Sequence, residues 1–467
     1  MEKKPKNLWN WNTKYQLHVT VSTNESKESD ERMVYMEDLE KRKQAYGICG
    51  ECNEPGTGWN WCQLCNAKRL KDDFNNWTSG NKIIDEFIQQ SQLNAVYHIK
   101  CLEWIPFEKF QNITYIAEGG FGKVYTAEWP EGNIEYWDIE NQKWRREHYD
   151  KYALKSLNNS SDISSDFLNE IKSHLHIYLN TVASCYGITQ DPNTKEYMMV
   201  LKYIYNGNLR NHIIKSENYI GYESKIHALR QLASGLLDIH NAGLVHKDFH
   251  SGNVLNIKGP YISDLGMCQP ENKQTVKEEG IYGVLPYMAP EVLRGHQYTK
   301  AADIYSFGII MNELLSEEIP FNDIPHDKFL AIKVCNGLRP NISKDVPKLL
   351  VDLITKCWDA EIDNRPTTKE LYQLLKKWDD EKNDESSELY SQVKECNKLG
   401  KKKFEISKSS KGKSDNIQTH PQAIYTSRHL NFKNLPKPVN SSDLSSCQLN
   451  SVSVQLNESE LYEFWQN

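Results

Sequence analysis

Apolar and polar residues alternate from Ile113 onward, and the alternation breaks at a glycine cluster. Ile113-Thr114-Tyr115-Ile116 and Lys123-Val124-Tyr125-Thr126-Ala127 therefore predict two strands joined by a tight turn at Gly119-Gly120-Phe121-Gly122. Tyr152–Leu157 and Tyr197–Leu201 read as two further strands, the second apolar enough to be buried. Between them Phe167, Leu168, Ile171 and Leu175 recur at helical spacing, which predicts an amphipathic helix over 165–178 that also carries Glu170. The dominant period then changes. Ile226, Leu229, Leu232, Leu236 and Ile239 predict a long helix over 223–242, and 302–315 is apolar on several faces, as a helix central to its lobe would be. Thr367 and Glu370 have the spacing of a capping box at the head of a last helix that ends near Trp378. The body of the chain, 105–378, is thus of α+β class, with strands first and helices after.

The flanks read differently. Ile83, Ile84, Phe87, Ile88, Leu93 and Val96 make 69–104 a helical connector, which Ile105-Pro106 ends. Residues 1–46 are rich in Lys, Glu, Asn and Ser and are expected to be mostly disordered, apart from a short charged helix within 31–46. Residues 379–467 shift to Asp, Glu, Lys, Ser and Asn and are also expected to be mostly disordered, with Leu461-Tyr462-Glu463-Phe464-Trp465 as a short apolar docking motif. Composition agrees with a folded body plus solvated extensions: 39% hydrophobic, 25% charged, mean hydropathy −0.69. With 56 Lys+Arg against 63 Asp+Glu, the net charge of −7 gives no bias toward nucleic acid or anionic lipid. Met1–Tyr15 lacks the apolar run of a signal peptide, and no run approaches the roughly 18 apolar residues of a membrane helix. Of eleven cysteines, Cys101, Cys185, Cys335 and Cys357 stand singly in apolar surroundings, the usage of a reducing compartment. The expected location is cytoplasmic, with Lys401-Lys402-Lys403 leaving nuclear entry open.

Four cysteines are spaced for a different purpose. Cys49 and Cys52 form one C-x-x-C pair, and Cys62 and Cys65 form another. Each pair can bend into a knuckle that presents two thiolates to one tetrahedral zinc ion, and the turn-forming Asn53–Gly58 lets the second face the first. All four ligand positions are taken, so residues 47–68 are expected to be a structural zinc module with no open coordination site. The module resembles a short zinc-ribbon or Ran-binding-type finger.

Chemistry concentrates in Val245-His246-Lys247-Asp248-Phe249-His250-Ser251-Gly252-Asn253-Val254-Leu255, a short polar loop flanked by apolar residues. Its aspartate and asparagine suit a carboxylate that accepts a proton from a hydroxyl and an amide oxygen that holds a metal. Lys155 lies alone among the apolar residues of Tyr152–Leu157, with Glu170 available to meet it. Tyr261-Ile262-Ser263-Asp264-Leu265-Gly266 is a strand ending in an acid, and Ala289-Pro290-Glu291 and Asn364-Arg365-Pro366 follow, with Arg365 placed to pair with Glu291.

In this order the marks resemble those of a protein kinase domain, nearest to the tyrosine-kinase-like group of serine/threonine kinases. With the four-cysteine module and Trp77-Thr78-Ser79-Gly80, they resemble an expanded fungal kinase family. The resemblance implies a bilobal protein kinase fold, a β-rich N-lobe and a helical C-lobe, behind a small N-terminal four-cysteine zinc module. It implies transfer of the γ-phosphoryl group of ATP to Ser/Thr hydroxyls of protein substrates, with Mg2+ as the metal. In that scheme Asp248 is the base, Lys155 holds the α- and β-phosphates, Glu170 fixes Lys155, and Asn253 and Asp264 hold Mg2+. His250 stands where a lysine usually touches the γ-phosphate and would donate to the same oxygen. Ala117, Gly119, Gly120, Gly122 and Val124 would cover the phosphates. Ala153, Leu201, Leu255 and the backbone at Lys202 and Ile204 would enclose the base. The expected partners are ATP, protein substrates and an unidentified partner of the zinc module. Ala117, Lys247 and His250 depart from the family pattern and leave a pseudokinase scaffold as the alternative. Val284, where many serine/threonine kinases carry threonine, leaves tyrosine or dual specificity as another, and Thr275 and Tyr282 are candidate control sites.

Overall fold

The chain begins by folding around its two cysteine pairs. The structure, a computed structural model, describes residues 6–10, 12, 15, 18–21, 32–119, 122–157, 163–177, 181–215, 218–271, 281–410 and 419–440. Helix α1 (Leu39–Tyr46) is capped by Asp38 and turns Arg42, Ala45 and Tyr46 inward. The Arg42 guanidinium donates to the carbonyls of Met36, Pro55 and Gly56, which pins the loop between the cysteine pairs. Cys62 is the N-cap of α2 (Gln63–Asp72), so the expected boundary between module and connector at residue 68 falls inside a helix. Asn81 caps α3 (Lys82–Asn94), whose Ile84 and Ile88 are fully buried.

The expectation of a mostly disordered 1–46 does not hold for its described part. Val19–Val21 pairs in parallel with Met33–Tyr35, and Arg32 reaches Asp238 at 3.0 Å in the helical half. Val21, Met33 and Val34 are buried; burial against the rest of the protein supplies what a lone polar stretch lacks.

Six strands then form one mixed sheet, in the order Glu103–Trp104, Cys185–Gln190, Tyr197–Lys202, Tyr152–Leu157, Gly122–Glu128, Gln111–Gly119. The first pair is parallel and the rest antiparallel. Helix α4 (Ser165–His176), capped by Ser164, lays Phe167 and Ile171 into one core with Ile84 and Ile88 of α3 and with Ile188 and Met199 of the sheet. The insertion at 129–149 is a hairpin, Asn133–Asp138 against Lys143–Glu147. Its Trp144 stacks on Trp61 with centroids 5.9 Å apart, and its Trp137 lies under Arg69 at 4.4 Å, so the insertion grips the cysteine module.

The helical lobe contains α5 (Leu209–Lys215), α6 (Tyr222–Asn241), α7 (Pro290–Leu293), α8 (Lys300–Ser316), α9 (Lys328–Cys335), α10 (Lys348–Cys357) and α11 (Thr368–Glu381). Helix α8 is buried from Ala302 to Ser316, and α11 opens on the capping box of Thr367 and Glu370. Arg365 forks Glu291 through two hydrogen bonds of 2.7 and 2.8 Å, both partners buried. The tail corrects a second expectation, that of disorder over most of 379–467. Helix α12 (Glu388–Ser410) buries Leu389 and Val393, and 419–440 runs extended over the helical lobe. Its strand Arg428–Leu430 pairs with the distant Ile281–Gly283, a partnership that no local periodicity announces. Gly120, Thr275 and Leu461–Trp465 lie outside the described residues. Among the described residues no helix is long and apolar enough to cross a membrane.

Candidate active site

Lys155 faces the cleft from the middle of the sheet, in register with Val124 on one side and Met199 on the other. Its ammonium lies 2.7 Å from Glu170 Oε1 and 2.9 Å from Asp264 Oδ1, and it is 7% exposed. Burial opposes that charge, but the two carboxylates outweigh it and hold the ammonium well above its ordinary range. Glu170 is pushed up, chiefly by its own burial, since one ammonium serves two acids. Gly266 permits this packing: a Cβ there would sit 3.2 Å from Glu170 Oε2. Asp264 itself holds a left-handed backbone, φ 61°.

The loop after α6 is held from below. Asp303 on α8 accepts the backbone N–H of His246 at 2.7 Å and of Lys247 at 3.1 Å, with His240 Nε2 at 2.9 Å. Lys247 thereby keeps a left-handed φ of 69°. Asp248 follows, its residue 4% exposed; Asn253 donates to the Asp248 carbonyl at 2.9 Å, an orientation that commits the amide nitrogen and turns Oδ1 away. Burial pushes the Asp248 carboxyl up, but the neighbouring His250 and the hydrogen bonds from Ser427 hold it below the usual carboxylate range.

His250 is oriented by its neighbours. The Gly252 N–H points at Nδ1 from 3.0 Å, and the Arg210 guanidinium lies 3.5 Å from the same atom. The ring hydrogen therefore sits on Nε2, which faces Asp248 Oδ2 at 3.6 Å. Residue 252 must be glycine for this approach, since a Cβ would lie 2.7 Å from the imidazole. Beneath the loop, Ser251 donates to Glu313 Oε1 at 2.9 Å and Tyr287 donates to Oε2 at 2.7 Å.

Around the cleft, Ala117 pairs with Val124 and Gly119 with Gly122, between the edge strand Gln111–Gly119 and its neighbour Gly122–Glu128. Ala153 is in register with Leu201, Ile204 is buried, and Leu255 lies half-buried in the Val254–Leu255/Tyr261–Ile262 ladder. The Lys202 N–H is taken by the Ser184 carbonyl at 2.9 Å, so any contact it makes with a base edge runs through its own carbonyl.

Three residues escape the sequence reading: Asp303, Arg210 and Ser427. Ser427 Oγ donates to both oxygens of Asp248, at 2.7 and 2.6 Å, across 179 residues of chain. Remote from this cleft, the thiol sulfurs of Cys49, Cys52, Cys62 and Cys65 all lie within 4.8 Å of one another. The Cys52–Cys62 and Cys49–Cys65 separations are 3.6 and 3.9 Å. A zinc tetrahedron with arms of about 2.3 Å has edges of about 3.8 Å, so the four sulfurs fit that ion.

A mixed sheet over a helical lobe, with a Lys–Glu–Asp cluster facing an Asp–Asn loop across the cleft, is the protein kinase fold. Residues 110–375, more than half of the chain, match the family described as protein tyrosine and serine/threonine kinase, and the chain belongs to that family. It is 30% identical over 244 residues to a protein of Dictyostelium discoideum named as a serine/threonine-protein kinase, covering 46% of this chain and 15% of that one. A second protein so named from the same organism is 27% identical over 281 residues, 58% of this chain and 28% of the relative. Mitogen-activated protein kinase kinase kinase 7 of Homo sapiens is 25% identical over 294 residues, 61% of this chain and 44% of the relative. The chain spans less than half the length of each of these relatives.

Proposed function

We propose that this chain transfers the γ-phosphoryl group of ATP to serine and threonine hydroxyls of proteins, as a member of the tyrosine-kinase-like group. The observation that carries the reading is the Lys155 ammonium held between Glu170 and Asp264 in the cleft that Asp248 faces. Lys155 binds the α- and β-phosphates, and Glu170 keeps it from swinging away. Asn253 Oδ1 and the Asp264 carboxylate are the hard oxygens that Mg2+ prefers and would hold it. When bound, the ion neutralises charge on the β- and γ-phosphates. Asp248, kept ionised by its depressed pKa, orients the acceptor hydroxyl and takes its proton. His250 Nε2–H lies on the same side and donates toward the transferred group. Rate comes mainly from position and from charge preorganised on buried side chains, Lys155 and Asp248 among them.

The serine/threonine preference rests on the names of the relatives, and the affinity to an expanded fungal family rests on the four-cysteine module and the His246–Asn253 text. The module is assigned one structural zinc on the sulfur separations. Thiolate ligands persist in a reducing compartment, so we place the protein in the cytoplasm. The test is the purified chain with Mg2+, labelled ATP and a generic protein acceptor, followed by phosphoamino-acid analysis. Label is expected on serine and threonine, and D248N should reduce it by on the order of 100-fold or more. Equal background transfer by wild type and D248N would leave only the pseudokinase reading standing.

A further inference from the structure

The tail lies where a protein acceptor must lie. His420 N–H donates to the Asn322 carbonyl at 2.8 Å, and the His326 N–H donates to the Gln422 carbonyl at 3.0 Å. The Arg210 guanidinium lies 4.6 Å from the Tyr425 ring and donates to the Tyr425 carbonyl at 2.9 Å. The Tyr425 hydroxyl donates to the Pro320 carbonyl at 2.8 Å. Two residues on, Ser427 Oγ meets both Asp248 oxygens, with His250 Nε2 at 3.4 Å, while the Ser427 carbonyl accepts from the Tyr282 hydroxyl at 3.0 Å. The chain then enters a ladder with the segment before Ala289-Pro290-Glu291, in the register Gly283↔Arg428, Tyr282↔His429, Ile281↔Leu430. Leu430 and Leu435 are buried, and Val439 N–H donates to the Cys335 carbonyl at 2.9 Å. Backbone contacts on both sides of one serine thus place its hydroxyl on the proposed base.

A tail that merely covered the lobe would need no hydroxyl on Asp248. Polar side chains are available along it, yet the one that reaches the buried carboxylate is a primary alcohol, oriented as a donor. We propose that Ser427 is an acceptor which this chain phosphorylates on itself, and that 419–440 fills the protein-acceptor groove until it does. This rests on the kinase reading above and names the first substrate of that site. In the step, Ser427 Oγ forms a bond to the γ-phosphorus of ATP as the bond from that phosphorus to the β,γ-bridging oxygen breaks. ADP leaves with the electron pair, and the hydroxyl proton passes to Asp248. The product carries about −1.5 to −2 charges at Ser427. Once Asp248 gives up that proton to solvent, its carboxylate repels the new charge, so phosphorylation expels its own segment and opens the groove. A segment resident about nine-tenths of the time raises the apparent KM for another acceptor about tenfold, and expulsion removes that factor.

The test uses the full chain, stripped of phosphate by a phosphatase that is then removed, and incubated with Mg2+ and ATP. Phosphosites are mapped by mass spectrometry, with Thr426 resolved from Ser427, and the rate is followed across a wide dilution series. A generic protein acceptor is assayed before and after the incubation. The expected result is phosphate on Ser427 at a dilution-independent rate, followed by about a tenfold fall in KM for the added acceptor. S427A should lose both the mark and the fall in KM. L430D, which unseats the strand, should show the low KM from the start without marking Ser427. Transfer to the added acceptor while Ser427 stays bare, or Ser427 phosphate that forms equally in D248N or scales with protein concentration, would overturn the proposal and leave the kinase reading intact. Transfer to neither, with wild type equal to D248N, would remove the kinase reading itself and the proposal with it.

Discussion

Asp303 touches no substrate group in the scheme above, yet two backbone N–H groups of the catalytic loop and His240 end on its carboxylate. It is a positioning residue: these bonds hold Lys247 at φ 69° and so aim Asp248 into the cleft. Asparagine in its place would keep one acceptor and turn an NH2 toward a donor. D303N should cost about 1.5 to 3 kcal/mol, the range for hydrogen bonds to a charged group. Urea unfolding measures that loss. Because Lys155 and Glu170 stand on the other lobe, kcat should fall while KM for ATP stays near wild type. A variant with full kcat and a raised KM for ATP would remove the positioning role.

At the scale of elements, α4 decides whether Glu170 is in place, and it is held by groups from outside the sheet. Phe167 and Ile171 pack on Ile84 and Ile88 of α3, while the Lys100 side chain donates to the carbonyls of His174 and Ile177 at the end of the helix. Burial lowers the Lys100 amine to about 7, but either form still offers hydrogens to those carbonyls. His174, on the buried side of α4, has its imidazole pushed down to about 3 by burial and then by the charges of Lys155 and Lys100, against the opposing Ala183 backbone and Asp264. The native state therefore refuses a proton that the unfolded chain takes below about pH 6.5. Stability from this group is full above that value and is lost as pH falls from about 6.5 toward 3. Between pH 7 and pH 5 the loss should be about 2 kcal/mol. Urea midpoints of wild type and H174L at the two pH values test it; the variant should lack that share of the acid dependence, and parallel curves would refute the assignment. Elements of this kind were partly legible. Four of the six sheet strands, α4 and α6 follow from period, α8 from a run apolar on several faces, and Asp248, Asn253, Lys155 and Asp264 stand in short motifs whose chemistry fixes their spacing. The strands Glu103–Trp104 and Cys185–Gln190 escape that reading, the first too short to show a period. The hold of Asp303 on the loop, Lys100 on α4, Ser427 on Asp248 and the strand Arg428–Leu430 each join residues far apart in sequence. Single polar residues in polar surroundings carry no periodic signal of such contacts.

Across the whole molecule the cysteine module is built into the kinase domain rather than hung from it. Trp61 of the module stacks on Trp144, Arg69 covers Trp137, and the Trp61 indole N–H donates to the Ala95 carbonyl at 2.7 Å, just past α3. Leu70 of α2 shares a core with Ile134 of the inserted hairpin and with Cys101 beside Lys100. A change in the module therefore has two routes to α4, one through α3 and its isoleucines and one through the hairpin and the Lys100 segment. If four thiolates and one zinc hold the module, losing the metal frees both knuckles and with them the start of α2 at Cys62. Elemental analysis should find about one zinc per chain, absent from C49S/C52S. The double variant, or wild type treated with a zinc chelator, should unfold at lower temperature and show lower kcat, because Glu170 loses part of what holds it against Lys155. W144A separates the routes: it should keep the zinc and lose part of the thermal midpoint. A native protein free of zinc, or a C49S/C52S variant with unchanged midpoint and kcat, would show that the module is not coupled to α4.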